Sequence, residues 1–133
     1  MARSIREVVW QRARARCEYC HLPQHLTDLP HQLDHIRARK HRGTTIAPNL
    51  ALSCAYCNGH KGPNVSGYDP QPGLLVPLFN PRTDSWNEHF EWDGPLLVGK
   101  NPIARATVEV LGINATARIH LRQSLIQLGA RPF

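Results

Sequence analysis

Two Cys-x-x-Cys turns, Cys17 to Cys20 and Cys54 to Cys57, are the residues of this chain whose type and spacing most directly imply chemistry. Each turn offers two thiolates to one point, and two turns complete the shell of a tetrahedral ion such as zinc, which binds sulfur at about 2.3 Å. No pattern like a thioredoxin βαβ unit surrounds either pair, so the spacing speaks for a metal staple rather than a redox dithiol. His21 and His25 then read as loop histidines, because four thiolates already fill the shell. The 33 residues between Cys20 and Cys54 are more than a plain zinc ribbon needs. Within them QLDHIRARKHRG, residues 32 to 43, sets an acid, Asp34, beside an imidazole, His35, and follows both with Arg37, Arg39, Lys40 and Arg42.

The charge map singles out the same region. The net charge is +6. Residues 1 to 62 hold ten Lys/Arg against four Asp/Glu, whereas residues 63 to 133 hold six of each. A surplus confined to one half of a chain is the footprint of a polyphosphate partner. The length of 133 residues suits about one domain, with 11 prolines and 9 glycines implying many turns. No apolar run reaches signal-peptide length at the start, and none approaches the roughly 18 residues of a membrane span. A cytoplasmic protein without a membrane partner is therefore expected, and no feature fixes an oligomeric state.

The elements that must position these residues follow from periodicity and turn chemistry. Ile5 to about Arg16 reads as a helix that brings arginines next to the first cysteine pair. Cys17 to Pro30 reads as a knuckle and loop, His31 to Ile36 as a short strand, NLALSC as a second strand, and AYCNGHKG as a helix closed by Gly62. Further on, SWNEHFEW, the Asp93-Gly94 turn and PLLVGK read as a hairpin. Asn101-Pro102 opens a helix through Val110, stopped at Gly112. A last helix runs from about Asn114 to Leu128, with Leu121, Leu125 and Leu128 on one face. Trp86, Phe90 and Trp92 read as core aromatics.

Cys-x-x-Cys, then Asp34-His35-Ile36, then Asn49-Leu50, then CAYCNGHKG resembles the HNH endonuclease family across Cys17 to Gly62. LFNPRTDSWNEHFEWDG and IARATVEVLGIN are similar to the segment that follows this motif in stand-alone bacterial and phage members. The resemblance implies an α+β fold: a small ββα-metal (His-Me finger) core stapled by a four-cysteine zinc, with a C-terminal β-hairpin and two helices. It implies a zinc-stapled nuclease core with a basic N-terminal helix over residues 1–66, and a hairpin and helices over 67–133 packed on it as one compact unit. Residue by residue, it makes His35 the general base and Asn49 the amide that holds the loop and, through it, His35. It makes Asp34 and Asn58 the ligands of a catalytic divalent cation, Mg²⁺ or Mn²⁺ with Ni²⁺ or Zn²⁺ as further candidates; His60 is near enough to serve as an accessory ligand or as a phosphate contact. Cys17, Cys20, Cys54 and Cys57 hold structural Zn²⁺, while Arg37, Arg39, Lys40, Arg42 and Lys61 meet nucleic acid, foremost double-stranded DNA.

The chemistry asks for such residues independently. In-line cleavage of a phosphodiester needs a deprotonated water, which an imidazole with an ordinary pKa near 6.5 can supply at neutral pH. It also needs charge neutralised on the phosphate and the leaving 3′ oxygen, which a hard cation on oxygen ligands provides. Adjacent strand residues face opposite sides, so Asp34 and His35 can share a site only where the strand ends or bends. The competing expectation is a catalytically silent, zinc-stabilised nucleic-acid-binding module. It explains the cysteines and the charge, but not Asp34, His35 and Asn58 together.

Overall fold

Ser4 opens the first helix by accepting the Glu7 N–H on its hydroxyl at 3.1 Å, an N-cap that satisfies one of the orphan donors of the first turn. The computed structural model describes residues 3–130. Helix α1 (Ile5–Ala13) stops short of Arg16, because Arg14 and Ala15 both take positive φ, 56° and 57°. This left-handed pair turns the chain directly into the first cysteine knuckle.

Strand β1 (Gln32–His35) pairs antiparallel with β2 (Leu50–Ser53), Asp34 opposite Ala51 and His35 opposite Leu50. All four residues of β2 are buried, so this strand is covered on both faces. Its alternation divides the covering elements. Leu50 and Leu52 pack with Val9, Trp10 and Leu33 beneath α1, while Ala51 joins the cysteines on the other face. Helix α2 (Ala55–Lys61) follows and ends at Gly62, whose φ of +50° and ψ of −139° suit glycine alone. Strand, loop, strand and helix therefore occur in the expected order, and together they form the ββα unit.

The second half departs further from expectation. A hairpin of β3 (Ser66–Tyr68) and β4 (Leu75–Pro77) forms in a stretch for which the sequence suggests no element. It is fastened by Asp69, fully buried, which takes two hydrogen bonds from Arg105, at 2.9 and 2.7 Å. Trp86 to His89, expected as strand, is a single helical turn, α3. The hairpin proper is β5 (Phe90–Asp93) with β6 (Leu96–Gly99), turning at Gly94. Helix α4 (Pro102–Val110) starts where expected, with Asn101 Oδ1 accepting from Ala104 N at 2.9 Å. Helix α5 (Thr116–Gln127) lays only part of the expected leucine face on the core: Leu125 packs against the main cluster, whereas Leu128, just past the helix end, is 84% exposed. Arg122, 4% exposed, adds a polar anchor by donating to Pro95 O, Ile113 O and Asn114 Oδ1. One buried cluster joins the four cysteines and Tyr19 to Phe79, Phe90, Leu97, Leu111 and Ile113, so the knuckles lie at the centre of the main core. No helix among the described residues is long and apolar enough to cross a membrane.

Candidate active site

The two knuckles close on one point. The Sγ atoms of Cys17, Cys20, Cys54 and Cys57 all lie within 4.8 Å of one another and all four residues are buried. Cys20 and Cys54 are 3.8 Å apart, close to the edge of a tetrahedron with sulfurs about 2.3 Å from its centre. In each turn the second cysteine's N–H points at the first sulfur, Cys20 N to Cys17 Sγ at 3.5 Å and Cys57 N to Cys54 Sγ at 3.4 Å. These bonds prefer thiolates. Hydrogen bonds from its three neighbours, Cys17 foremost, hold the Cys54 thiol far below the usual thiol range. The same contacts push Cys20 and Cys57 well above it. Four buried sulfurs at this spacing are a donor set that fits zinc. Two arginines of α5 lie beside the cluster. Arg118 approaches Cys54 Sγ at 3.9 Å while lying over the Tyr56 ring at 4.3 Å, and Arg122 lines a small cavity together with Cys20. The leucine periodicity of α5 conceals both.

The loop between β1 and β2 is closed by Asn49. Its Oδ1 accepts from Arg37 N at 2.9 Å, and its Nδ2 donates to Arg37 O at 3.0 Å and Thr44 O at 2.8 Å. Gly43 permits the crossing, because a Cβ there would lie 1.6 Å from the Arg37 carbonyl oxygen. The folded loop delivers Thr45, whose hydroxyl is hydrogen-bonded to His35 Nε2 at 2.9 Å. Thr45 carries no sequence signal for such a role; only the loop's closure brings it back to the imidazole.

Alternation along β1 sends Asp34 to the α2 face and His35 to the opposite one. The strand ends at His35, however, and an open hollow of about 380 Å³ is lined by Asp34, His35 and Asn58 together with Arg39 and Lys40. Asp34 lies deep in it, 3% exposed. Its Oδ2 accepts from Tyr19 OH at 2.6 Å and its Oδ1 from Lys61 Nζ at 3.2 Å. Burial raises the Asp34 carboxyl above the usual carboxylate range in spite of the opposing Lys61 charge, and burial with Asp34 beside it pushes the Tyr19 phenol well up. Asn58 donates through Nδ2 to Gln32 Oε1, which leaves its amide oxygen out of that bond. A carboxylate and an amide oxygen lining one hollow are donors of the kind a hard divalent cation takes.

Two expected site residues lie elsewhere. Lys61, expected on the nucleic-acid surface, is 1% exposed and faces Asp34. His60, expected as an accessory ligand, is hydrogen-bonded to Tyr56 O at 2.9 Å, stacks on the Tyr56 ring at 4.0 Å and faces Gly112. Two residues along a helix is about 200°, so Asn58 and His60 occupy opposite sides of α2. Arg37, Arg39, Lys40 and Arg42 surround the loop, where Arg37 Nε donates to His41 O at 2.6 Å.

Residues 17–64 match the family model described as HNH endonuclease. The chain is also 33% identical over 78 residues to the Septu protein PtuB of Bacillus thuringiensis, a match covering 59% of this chain and 28% of that protein. The chain thus spans less than a third of that relative's length. No solved structure matches.

Proposed function

We propose, from the HNH endonuclease domain that this chain carries at residues 17–64, that the protein is a metal-dependent endonuclease hydrolysing phosphodiester bonds in double-stranded DNA. The observation carrying this reading is the shared hollow of Asp34, His35 and Asn58, with Arg39 and Lys40 at its edge. His35 takes the proton of the attacking water, its ring oriented by Thr45 and the loop beneath it by Asn49. A divalent cation, Mg²⁺ or Mn²⁺ with Ni²⁺ or Zn²⁺ as further candidates, held by Asp34 and Asn58 would offset charge on the phosphate and the leaving 3′ oxygen. Arg37, Arg39, Lys40 and Arg42 meet flanking phosphates, and the cysteine site takes structural zinc. Supercoiled plasmid should become nicked and then linear with protein and Mg²⁺ or Mn²⁺, and should stay intact with EDTA. One observation favours the alternative, a catalytically silent binding module: Lys61 already neutralises Asp34. Plasmid that is bound but uncut in every cation would decide for that module.

The basic loop carries a separate prediction. For duplex DNA, every phosphate that a protein neutralises steepens the fall of log affinity with log salt by about 0.9. Alanine at both Arg39 and Lys40, which lie beside the hollow, should therefore flatten the slope by nearly twice that amount, measured by fluorescence anisotropy across a salt series. An unchanged slope removes the loop from the binding face.

A further inference from the structure

We propose that Lys61 is a positioning residue of the cation site: its buried ammonium holds Asp34 and the end of β1 in place, and sets how tightly Asp34 and Asn58 take a divalent cation. This rests on the proposed nuclease function only in taking those two residues as the ligands. Lys61 is the last residue of α2 and lies three positions after Asn58, so both project from the same side of the helix toward β1. Its Nζ is 3.2 Å from Asp34 Oδ1, 3.1 Å from His35 O and 3.3 Å from Ile36 O. An ammonium has three protons, and all three are spent here, which leaves none for a phosphate.

The partners explain what the residue does. The His35 and Ile36 carbonyls are those at which β1 ends, the point that lets Asp34 and His35 open on one hollow. Asp34 keeps acceptor capacity beyond its bonds to Tyr19 and Lys61, since a carboxylate offers about four lone-pair directions. An incoming divalent ion must share that carboxylate with a fixed positive charge. The pair is buried, 2% and 4% exposed at the side chains, so salt screens the repulsion only weakly. The ammonium thus keeps the carboxylate ordered without the cation and opposes the cation's entry.

Mn²⁺ binding to the cysteine-metallated protein, followed by titration calorimetry and electron paramagnetic resonance, tests this without reference to cleavage. Lys61→Gln removes the charge and keeps N–H donors. It should bind Mn²⁺ at least about tenfold more tightly than the unaltered protein, while Lys61→Arg should stay within about threefold. In an Asp34→Asn background the Gln substitution should change nothing, because the coupling runs through that carboxylate. Unchanged or weaker Mn²⁺ binding by a folded Lys61→Gln protein overturns the proposal, as does tightening that persists without Asp34. Absence of Mn²⁺ binding to the unaltered protein at millimolar concentration overturns it as well. Should Lys61→Gln not fold, Lys61→Met is read by the same criteria. A protein that binds Mn²⁺ as described yet leaves plasmid intact keeps this inference and loses the nuclease reading.

Discussion

His35→Ala is expected to cut plasmid DNA about 10²- to 10⁴-fold more slowly than the unaltered protein, the usual worth of general-base catalysis, while keeping its zinc, its far-ultraviolet circular dichroism and its DNA affinity. The separation follows from where the residue sits. His35 is the last residue of β1 and belongs to neither buried cluster. The loop beyond it is closed by Asn49 and Gly43 and does not need the imidazole. Thr45→Ala should give a smaller loss, carried by kcat with KM unchanged, because its hydroxyl orients the ring. Thr45→Ser should restore the rate. Asp34 needs a gentler substitution than alanine: removing one partner of a buried ion pair costs about 3 to 5 kcal/mol, and Lys61 would be left unpaired. Asp34→Asn keeps an acceptor oxygen for Lys61 and turns its Nδ2 to the Tyr19 hydroxyl, which can accept, and its residual activity should rise with added cation where that of His35→Ala does not. A His35→Ala protein that cuts at the unaltered rate removes the catalytic assignment from this site.

The residues that bring the hollow together are legible in the sequence for a physical reason. Each is tied to a local signal: a knuckle spacing, an Asp-His pair at a strand end, an asparagine directly after a cysteine. The ββα order is legible for the same reason, because β1, β2 and α2 are short elements bounded by strong punctuation such as Gly62. What stays hidden depends on distant closure. Thr45 reaches His35 only because Asn49 folds twelve residues of loop back on themselves. Lys61 reads as a surface cation since lysine rarely lies fully buried, and its burial depends on an aspartate 27 positions earlier. The β3 and β4 hairpin has no alternating apolar pattern to announce it, and Arg105 secures it from a helix 36 residues away. Similarly, the leucine stripe of α5 is legible, whereas the buried arginine that helps to seat the helix beside Leu125 is not. Buried charges with specific partners are where periodicity fails, because their energetics belong to the pair rather than to the segment.

Removing the cysteine-bound metal should unfold the protein, whereas removing the catalytic cation should only silence it. The four thiols lie at the centre of the main core, against Tyr19, Leu22, Phe79 and Leu111, and they tie the segment before β1 to the start of α2. Structural zinc in small domains is worth roughly 10 to 16 kcal/mol at neutral pH, as much as or more than the roughly 5 to 15 kcal/mol by which whole domains are stable. Cys54→Ser should therefore lose cooperative melting altogether. It removes one ligand and also the sulfur that receives the Cys57 N–H. In the unaltered protein, a thiol-blocking mercurial should release one zinc per chain, followed by a metallochromic dye, in step with the loss of circular dichroism. Acidification should act in the same direction, since protons compete with the metal for thiolates as pH falls. Brief EDTA is the contrasting treatment. A cation held by Asp34 and Asn58, as proposed, would have two protein ligands at most in an open hollow, and it should exchange within the mixing time, stopping cleavage with the melting curve unchanged. Activity and circular dichroism lost together under brief EDTA would mean that one metal serves both purposes, and that the hollow beside His35 does not hold a cation of its own.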